Sequence, residues 1–114
     1  MIKISKVPEG IKTVLITGGG SGIGKAFVFE FAKLGLDCVL VGKNRERLVK
    51  ISNTVEKEFG VKTWVIEQDL SIFGAGHKVF NYCKEHSIQV DILVNNAGKL
   101  IFQEFTTLEE KQLD

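Results

Sequence analysis

A glycine-rich segment, residues 17–24, joins an apolar run to an amphipathic stretch and is well suited to bind a phosphate. Glycines allow positive φ angles and leave no Cβ in the path of an approaching pyrophosphate. At the start of a helix, free backbone N–H groups and the positive end of the dipole attract an anion. The first candidate site residues belong to this segment and are Gly18, Ser21, Gly22, Ile23 and Gly24.

Two of these residues have specific expected roles. The backbone N–H of Ile23 is expected to donate to the pyrophosphate from the start of the helix. Ser21 has two open roles, donating its hydroxyl to a phosphate or capping the helix, and the two are compatible. The alternative for the whole segment is a plain strand-to-helix turn, which would need only one glycine.

The spacing of the glycines distinguishes between kinds of phosphate site. The G-x-G-x-x-G dinucleotide fingerprint fits no frame of the segment. From Gly19 the segment matches a P-loop except at its last position, where Ala26 replaces the hydroxyl residue that holds Mg²⁺. A P-loop nucleotide hydrolase is therefore the less favoured reading. From Thr17 the pattern is T-G-x-x-x-G-I-G.

Two later motifs extend this pattern: Asp69-Leu70 follows the third apolar run, and Asn95-Asn96-Ala97-Gly98 ends the fourth. Together the three motifs resemble the short-chain dehydrogenase/reductase family, from about residue 13 to the last residue. The likeness is nearest to bacterial members of the ketoreductase-like type. It implies a Rossmann-type α/β fold, a doubly wound parallel sheet of four strands in the order 3-2-1-4 with flanking helices.

The resemblance also implies roles for the later motifs. Asp69 would contact the adenine amino group and Leu70 would line the same pocket. A set at the sheet's end would flank the adenosine ribose: Asn95, Asn96, Ala97 and Gly98. On spacing alone, a turn or N-cap role for Asp69 has equal weight, and the two asparagines could instead serve turn chemistry.

The choice of cofactor is expected to depend on the end of the second strand, where an acidic side chain would bind the ribose of NAD. Gly42 occupies that position and is followed by Lys43, Asn44 and Arg45. No carboxylate is present to repel a 2′-phosphate, and Lys43 offers a compensating charge. We therefore predict NADP rather than NAD, with Lys43 and Asn44 as cofactor-binding residues. Alternatively, Lys43 and Arg45 are solvated residues at a helix start.

The catalytic set of the family is missing from the sequence. Its chemistry uses a Tyr and a Lys spaced Y-x-x-x-K, but Tyr82 is the only tyrosine and His86 stands four residues later. His77 and His86 have no carboxylate or nucleophile at useful spacing, so we interpret them as solvated. The 114 residues are predicted to be the cofactor-binding half of an NADP-dependent oxidoreductase that moves hydride between nicotinamide and a carbonyl or alcohol, and to be inactive alone. A non-catalytic dinucleotide-binding remnant is the alternative.

Four apolar runs, residues 13–16, 38–41, 63–66 and 92–94, alternate with helical patterns, which predicts parallel strands joined by right-handed crossovers. Gly35 is predicted to close the first helix. The second is predicted to lie between Asn44 as N-cap and Gly60 as C-cap. The third spans roughly residues 74–86, and a capping box predicts a further helix from Leu108.

The organisation expected from these elements is a tail, residues 1–10, and the N-terminal half of one NAD(P)-binding Rossmann domain, residues 11–114, truncated before its catalytic part. The strand at 92–94 would then have an open edge, so self-association into a homo-oligomer is expected.

Composition excludes several classes of function. The net charge of +1 gives no electrostatic reason to bind nucleic acid, and no continuous apolar run indicates a membrane anchor. Cys38 and Cys83 form no C-x-x-C motif or metal-ligand spacing and are interpreted as buried apolar residues. We expect a cytoplasmic protein without a metal, with NADP(H) and a small-molecule substrate as its partners.

Overall fold

Four strands form one parallel sheet in the order β3-β2-β1-β4 in the computed structural model, which describes residue 4 and residues 6–96. The strands are β1 (Thr13–Thr17), β2 (Asp37–Gly42), β3 (Thr63–Glu67) and β4 (Ile92–Val94). All three pairings are parallel, which confirms the predicted Rossmann-type fold. The helix predicted from Leu108 lies outside the described residues.

Three helices connect the strands: α1 (Gly22–Lys33), α2 (Arg45–Phe59) and α3 (Ala75–Glu85). The predicted caps of α2 are present, since the Asn44 side chain accepts from the N–H of Arg47 and Gly60 adopts a left-handed conformation. Helix α1 ends with Leu34 as its C-cap, and Gly35 follows in a left-handed conformation with a φ of 89°, which confirms its predicted role in closing the helix. Local sequence signals therefore place the helices to within about one residue.

The core lies on both faces of the sheet because neighbouring residues of a strand point to opposite sides. Val14 and Ile16 of β1 pack in a cluster with α1 and α2, whereas Leu15 packs in a second cluster with α3. All three are fully buried. Strands β1 and β2 are therefore interior, as their continuous apolar runs predicted, whereas β3 and β4 at the edges of the sheet are only partly buried.

Both cysteines are buried in these clusters, as expected. Burial, with a smaller effect of the Asp37 charge, raises the pKa of Cys38 to about 12. Burial raises the pKa of Cys83 to about 11. Both groups are therefore neutral thiols in the folded protein near pH 7.

The register of the strands brings the predicted site residues to one edge. Thr17 of β1 lies opposite Val41 of β2, and Ile16 lies opposite Val94 of β4. The strands therefore end close together, and the segments that follow them meet at the carboxyl edge of the sheet, where open α/β sheets bind ligands.

Candidate functional site

The glycine-rich turn is attached to the ends of two strands. Gly18 follows β1 and has a φ of 67°, in the left-handed region that favours glycine. The N–H of Gly19 donates to the carbonyl of Val41 over 3.1 Å, and the N–H of Ser21 donates to the carbonyl of Gly18 over 3.0 Å. The turn therefore has a defined position next to the end of β2.

Gly24 allows the first turn of α1 to pack directly against this turn. A Cβ at Gly24 would lie 1.9 Å from the carbonyl oxygen of Gly18 and 2.6 Å from its carbon. Both are backbone atoms, so no side chain can be accommodated without moving the helix. The structure therefore gives Gly24 a role in shaping the turn.

Gly22, in contrast to Gly24, is surrounded by open space. A Cβ there would meet nothing within 4 Å, and the residue has no positive φ. In the part of the chain that the structure describes, the N–H groups of Gly22 and Ile23 have no hydrogen-bond partner, as is usual in the first turn of a helix. The structure thus leaves both space and donors for an anion in front of α1.

Ser21 caps α1, one of the two roles left open for it. Its Oγ donates to the carbonyl of Gly18 over 2.8 Å and accepts from the N–H of Gly24 over 3.0 Å. It also accepts from the Nδ2 of Asn96 over 3.0 Å. The hydroxyl proton is directed at Gly18, so a bond from this group to a phosphate stays a prediction and would require the hydroxyl to turn.

The two asparagines after β4 hold the end of β1 and the turn. The N–H of Asn96 donates to the Oγ1 of Thr17 over 2.8 Å, and its Nδ2 lies 3.4 Å from the carbonyl oxygen of Gly18. Thr17 Oγ1 lies 3.2 Å from the Oδ1 of Asn95. Contact with a ribose stays a prediction for Asn95, and Ala97 and Gly98 lie outside the described residues.

A cavity of about 130 Å³ brings together four of the predicted cofactor-binding residues. We call it the strand-end cavity. Its lining residues come from the ends of β1, β2 and β3: Gly18, Gly42, Lys43, Gln68, Asp69, Leu70 and Ser71.

Asp69 forms a local turn at the rim of the strand-end cavity. Its Oδ1 accepts from the hydroxyl of Ser71 over 2.7 Å and from the N–H of Ser71 over 3.0 Å. These bonds, and to a smaller extent the charge of Lys43, lower the pKa of Asp69 below its usual value. The turn role is therefore present, and a contact with adenine stays a prediction. Leu70 is buried beside it.

At the end of β2, Lys43 and Asn44 behave differently. Lys43 is exposed and lines the strand-end cavity. The Oδ1 of Asn44 caps α2, accepting from the N–H of Arg47 over 3.1 Å. A bond from Asn44 to a cofactor would therefore have to use its amide nitrogen.

A second cavity, of about 300 Å³, was not foreseen from the sequence. We call it the basic cavity. Its lining residues come from the turn and from two helices: Gly20, Ser21, Gly22, Lys25, Arg47, Lys50 and Ile51. The three-residue spacing of Arg47 and Lys50 does place them on one face of α2, but nothing local shows that Lys25 joins them.

The described residues form neither a cluster suited to a metal ion nor a helix suited to span a membrane. Within residue 4 and residues 6–96, no group of three or more His, Cys, Asp or Glu side chains could hold a metal ion. In the same part of the chain, no helix has the length and apolar character needed to cross a membrane.

A comparison with known protein families shows which family this chain belongs to. The sequence profile of the family described as short chain dehydrogenase matches residues 12–114. The chain belongs to the short-chain dehydrogenase/reductase family. The resemblance inferred from the glycine-rich segment and the Asn-Asn-Ala-Gly motif is thereby confirmed. Family membership also disfavours the P-loop reading, which already lacked its hydroxyl residue at Ala26.

Several members of the short-chain dehydrogenase/reductase family show the extent of the likeness. Human 17-beta-hydroxysteroid dehydrogenase type 3 is 38% identical over 88 residues, which cover 75% of this chain and 27% of that protein. The structure of L-sorbose reductase from Gluconobacter frateurii with NADPH and L-sorbose has a TM-score of 0.73 and 35% identity, covering 78% of this chain and 34% of that one. A short-chain dehydrogenase from Sphingobium yanoikuyae in complex with NADPH has a TM-score of 0.69 and 36% identity, covering 77% of this chain and 34% of that one. The chain thus spans about a third or less of the length of these relatives.

Proposed function

We propose that the protein is an NADP(H)-dependent oxidoreductase that transfers hydride between nicotinamide and a carbonyl or alcohol carbon of a small molecule. The observation that carries the proposal is the strand-end cavity, in which Lys43, Asp69 and Leu70 meet Gly18 of the glycine-rich turn. The relatives named above are two dehydrogenases and a reductase, and both of the solved structures contain NADPH. These likenesses support the cofactor class and the type of reaction.

The residues in front of α1 fit a dinucleotide. The space at Gly22 is open where a Cβ would stand, so a pyrophosphate can approach the N–H groups of Gly22 and Ile23. The strand-end cavity offers Leu70 as an apolar surface and Asp69 as an acceptor for an adenine. The adenosine ribose would then lie between these two places, near Gly18.

The described residues bind and orient rather than transfer protons. When bound, the nicotinamide supplies or accepts the hydride. The 114-residue sequence contains no Tyr and Lys spaced Y-x-x-x-K, so no such proton donor stands beside that step. We infer that residues 1–114 alone show no turnover, and that a catalytically active protein needs further residues.

Preference for NADP(H) over NAD(H) is part of the proposal. Gly42 places no carboxylate at the end of β2, and Lys43 follows it. A charge-assisted hydrogen bond contributes about 1.5–3 kcal/mol, equivalent to about tenfold to hundredfold in affinity. We expect NADPH to bind more tightly than NADH by that factor.

The Gly42→Asp variant tests this preference. A Cβ at Gly42 would lie 3.5 Å from the two Cδ atoms of Leu48, an ordinary contact, so the variant is expected to fold. Calorimetric titration of both cofactors should show most of the NADPH preference lost in the variant. Equal affinities of the wild type for NADPH and NADH, or an unchanged preference in Gly42→Asp, would contradict the proposal.

Self-association and a cytoplasmic location are also proposed. The support for self-association is β4, which pairs with β1 and with no other strand among the described residues. The support for a reducing compartment is the pair of buried free thiols. Sedimentation of the purified protein and fractionation of cells that express it would test the two statements separately.

A further inference from the structure

The outer edge of β3 is an open edge of the sheet in the described part of the chain. On the inner side of β3, the carbonyl of Lys62 accepts from the N–H of Cys38 over 3.0 Å, and the N–H of Gln68 donates to the carbonyl of Gly42 over 2.8 Å. Successive residues of a strand direct their backbone groups to opposite sides, so the residues between these two face away from β2 in alternation. The outward-facing residues are Thr63, Val65 and Glu67.

The sequence of this edge favours pairing with another strand. Residues 61–66 are all β-branched or aromatic except Lys62, and no glycine or proline interrupts them. Such residues are enriched in strands, and an unpaired edge made of them is a template for a second chain. Natural proteins block such edges with charged side chains or with covering segments.

Glu56 of α2 places its carboxylate at the start of this edge. Its Oε2 accepts from the backbone N–H of Thr63 over 2.9 Å and from the hydroxyl of Thr63 over 2.8 Å. The Oγ1 of Thr63 also forms a hydrogen bond with the Oγ of Ser52, a buried residue of α2. The first outward N–H of β3 is therefore already occupied, and by a charged group.

The same carboxylate opposes a second copy of β3. Two antiparallel copies whose Val65 residues exchange hydrogen bonds would place Thr63 of one opposite Glu67 of the other. Thr63 would then have to donate its N–H to the second copy, and Glu67 of that copy would stand beside Glu56. Like charges directly opposite one another are unfavourable, and two-fold symmetry makes this contact occur twice.

We propose that Glu56 keeps the outer edge of β3 from pairing with a second copy of this chain. It does so by occupying the N–H of Thr63 and by repelling Glu67 of the approaching copy. The inference does not depend on the cofactor. It concerns a different edge from β4, through which self-association is proposed above.

The test compares Glu56→Ala with Glu58→Ala in the purified protein. Glu58 lies at an exposed position of the same helix, so its variant controls for the loss of a nearby negative charge. Sedimentation at several concentrations should show Glu56→Ala associating about tenfold more tightly than the wild type, because two repulsive contacts are removed and two N–H groups are freed for bonds between the copies. Glu58→Ala should associate as the wild type does.

Hydrogen exchange shows whether this association uses β3. The N–H groups of Val65 and Glu67 have no hydrogen-bond partner in the described part of the chain, so they should exchange rapidly in the wild type. In Glu56→Ala they should exchange at least about tenfold more slowly at a concentration at which the variant associates. Association of the wild type through β4 would leave these two groups unprotected.

Glu67→Lys is a second variant that keeps the bond between Glu56 and Thr63. The Glu67 side chain is exposed, so the substitution is expected to leave the fold intact. It turns the repulsion of Glu56 into attraction and should also tighten self-association, with a smaller change than in Glu56→Ala because the N–H of Thr63 stays occupied.

Three outcomes would overturn the inference. One is a folded Glu56→Ala that associates no more tightly than the wild type. Another is tighter association of Glu56→Ala without slower exchange at Val65 and Glu67, which would place the new contact on another surface. The third is unchanged association of Glu67→Lys, which decides the matter even if circular dichroism shows that Glu56→Ala does not fold.

Discussion

The side-chain amide of Asn96 donates to the hydroxyl of Ser21 over 3.0 Å and so connects the end of β4 to the cap of α1. The same amide lies 3.4 Å from the carbonyl oxygen of Gly18. One asparagine thus supports both the turn and the helix start that present the N–H groups of Gly22 and Ile23. An asparagine of the Asn-Asn-Ala-Gly motif thus supports the glycine-rich segment directly.

Replacement of Asn96 by Ala should loosen this support. Loss of the hydrogen bonds is expected to lower the free energy of unfolding by about 1 kcal/mol. It should also weaken NADPH binding, because the turn is then less well ordered in front of α1. Urea unfolding and calorimetry of the same sample measure both effects. Asn81→Ala, at an exposed position of α3, is the control and should change neither.

Gly24→Ala should destabilise the fold, because the added methyl group would overlap with the Gly18 carbonyl at 1.9 Å. Forced overpacking costs about 1–3 kcal/mol or more, since α1 or the turn must move. Thermal and urea unfolding would measure the loss. A variant as stable as the wild type would show that the helix can move away from the turn at little cost.

Gly22→Val should have the opposite profile, a folded protein that does not bind NADPH. The site has space for the side chain and no positive φ, so backbone strain is not the cause of the loss. The branched side chain would instead occupy the path of the pyrophosphate. Calorimetry on a variant with a wild-type circular dichroism spectrum tests this, and retained affinity would place the phosphate site elsewhere.

Asn44 should act on stability and on cofactor binding in separable ways. Asn44→Ala removes the cap of α2 and should lower the free energy of unfolding by about 1 kcal/mol. Asn44→Asp keeps a capping oxygen and should preserve stability, but its negative charge would repel a phosphate and weaken NADPH more than NADH. Asn53→Ala, on the exposed surface of α2, is the control. Weaker NADPH binding in Asn44→Ala than in Asn44→Asp would contradict this separation.

The buried thiols should make stability depend on pH above about 9. The pKa of Cys38 is raised from 9.0 to about 12 and that of Cys83 from 9.0 to about 11, so the folded protein keeps protons that the unfolded chain loses. The stabilisation is complete below pH 9 and is lost as the pH rises towards 11–12. Each thiol contributes a slope of up to about 1.4 kcal/mol per pH unit in that window.

The free energy of unfolding of Cys38→Ala should decline less steeply with pH than that of the wild type when both are measured by urea unfolding from pH 8 to pH 10.5. The comparison concerns the slope, because removing the side chain also lowers stability at every pH. Parallel declines would show that the Cys38 thiol does not contribute to the pH dependence.

The sequence by itself determined the order and limits of the elements, because apolar runs and caps such as Asn44 and Gly60 act over a few residues. Family motifs, added to that pattern, predicted the strand order and placed Lys43, Asp69 and Leu70 at one site. Other features depended on residues distant in the chain. The Ser21 hydroxyl that caps α1 also accepts a bond from Asn96, 75 residues away, and Gly24 is needed because of where α1 packs against Gly18. Lys25 meets Arg47 and Lys50 only when α1 and α2 lie side by side. Local periodicity does not show which distant residues come into contact. Only the tertiary structure therefore decided which charges and backbone atoms share one site.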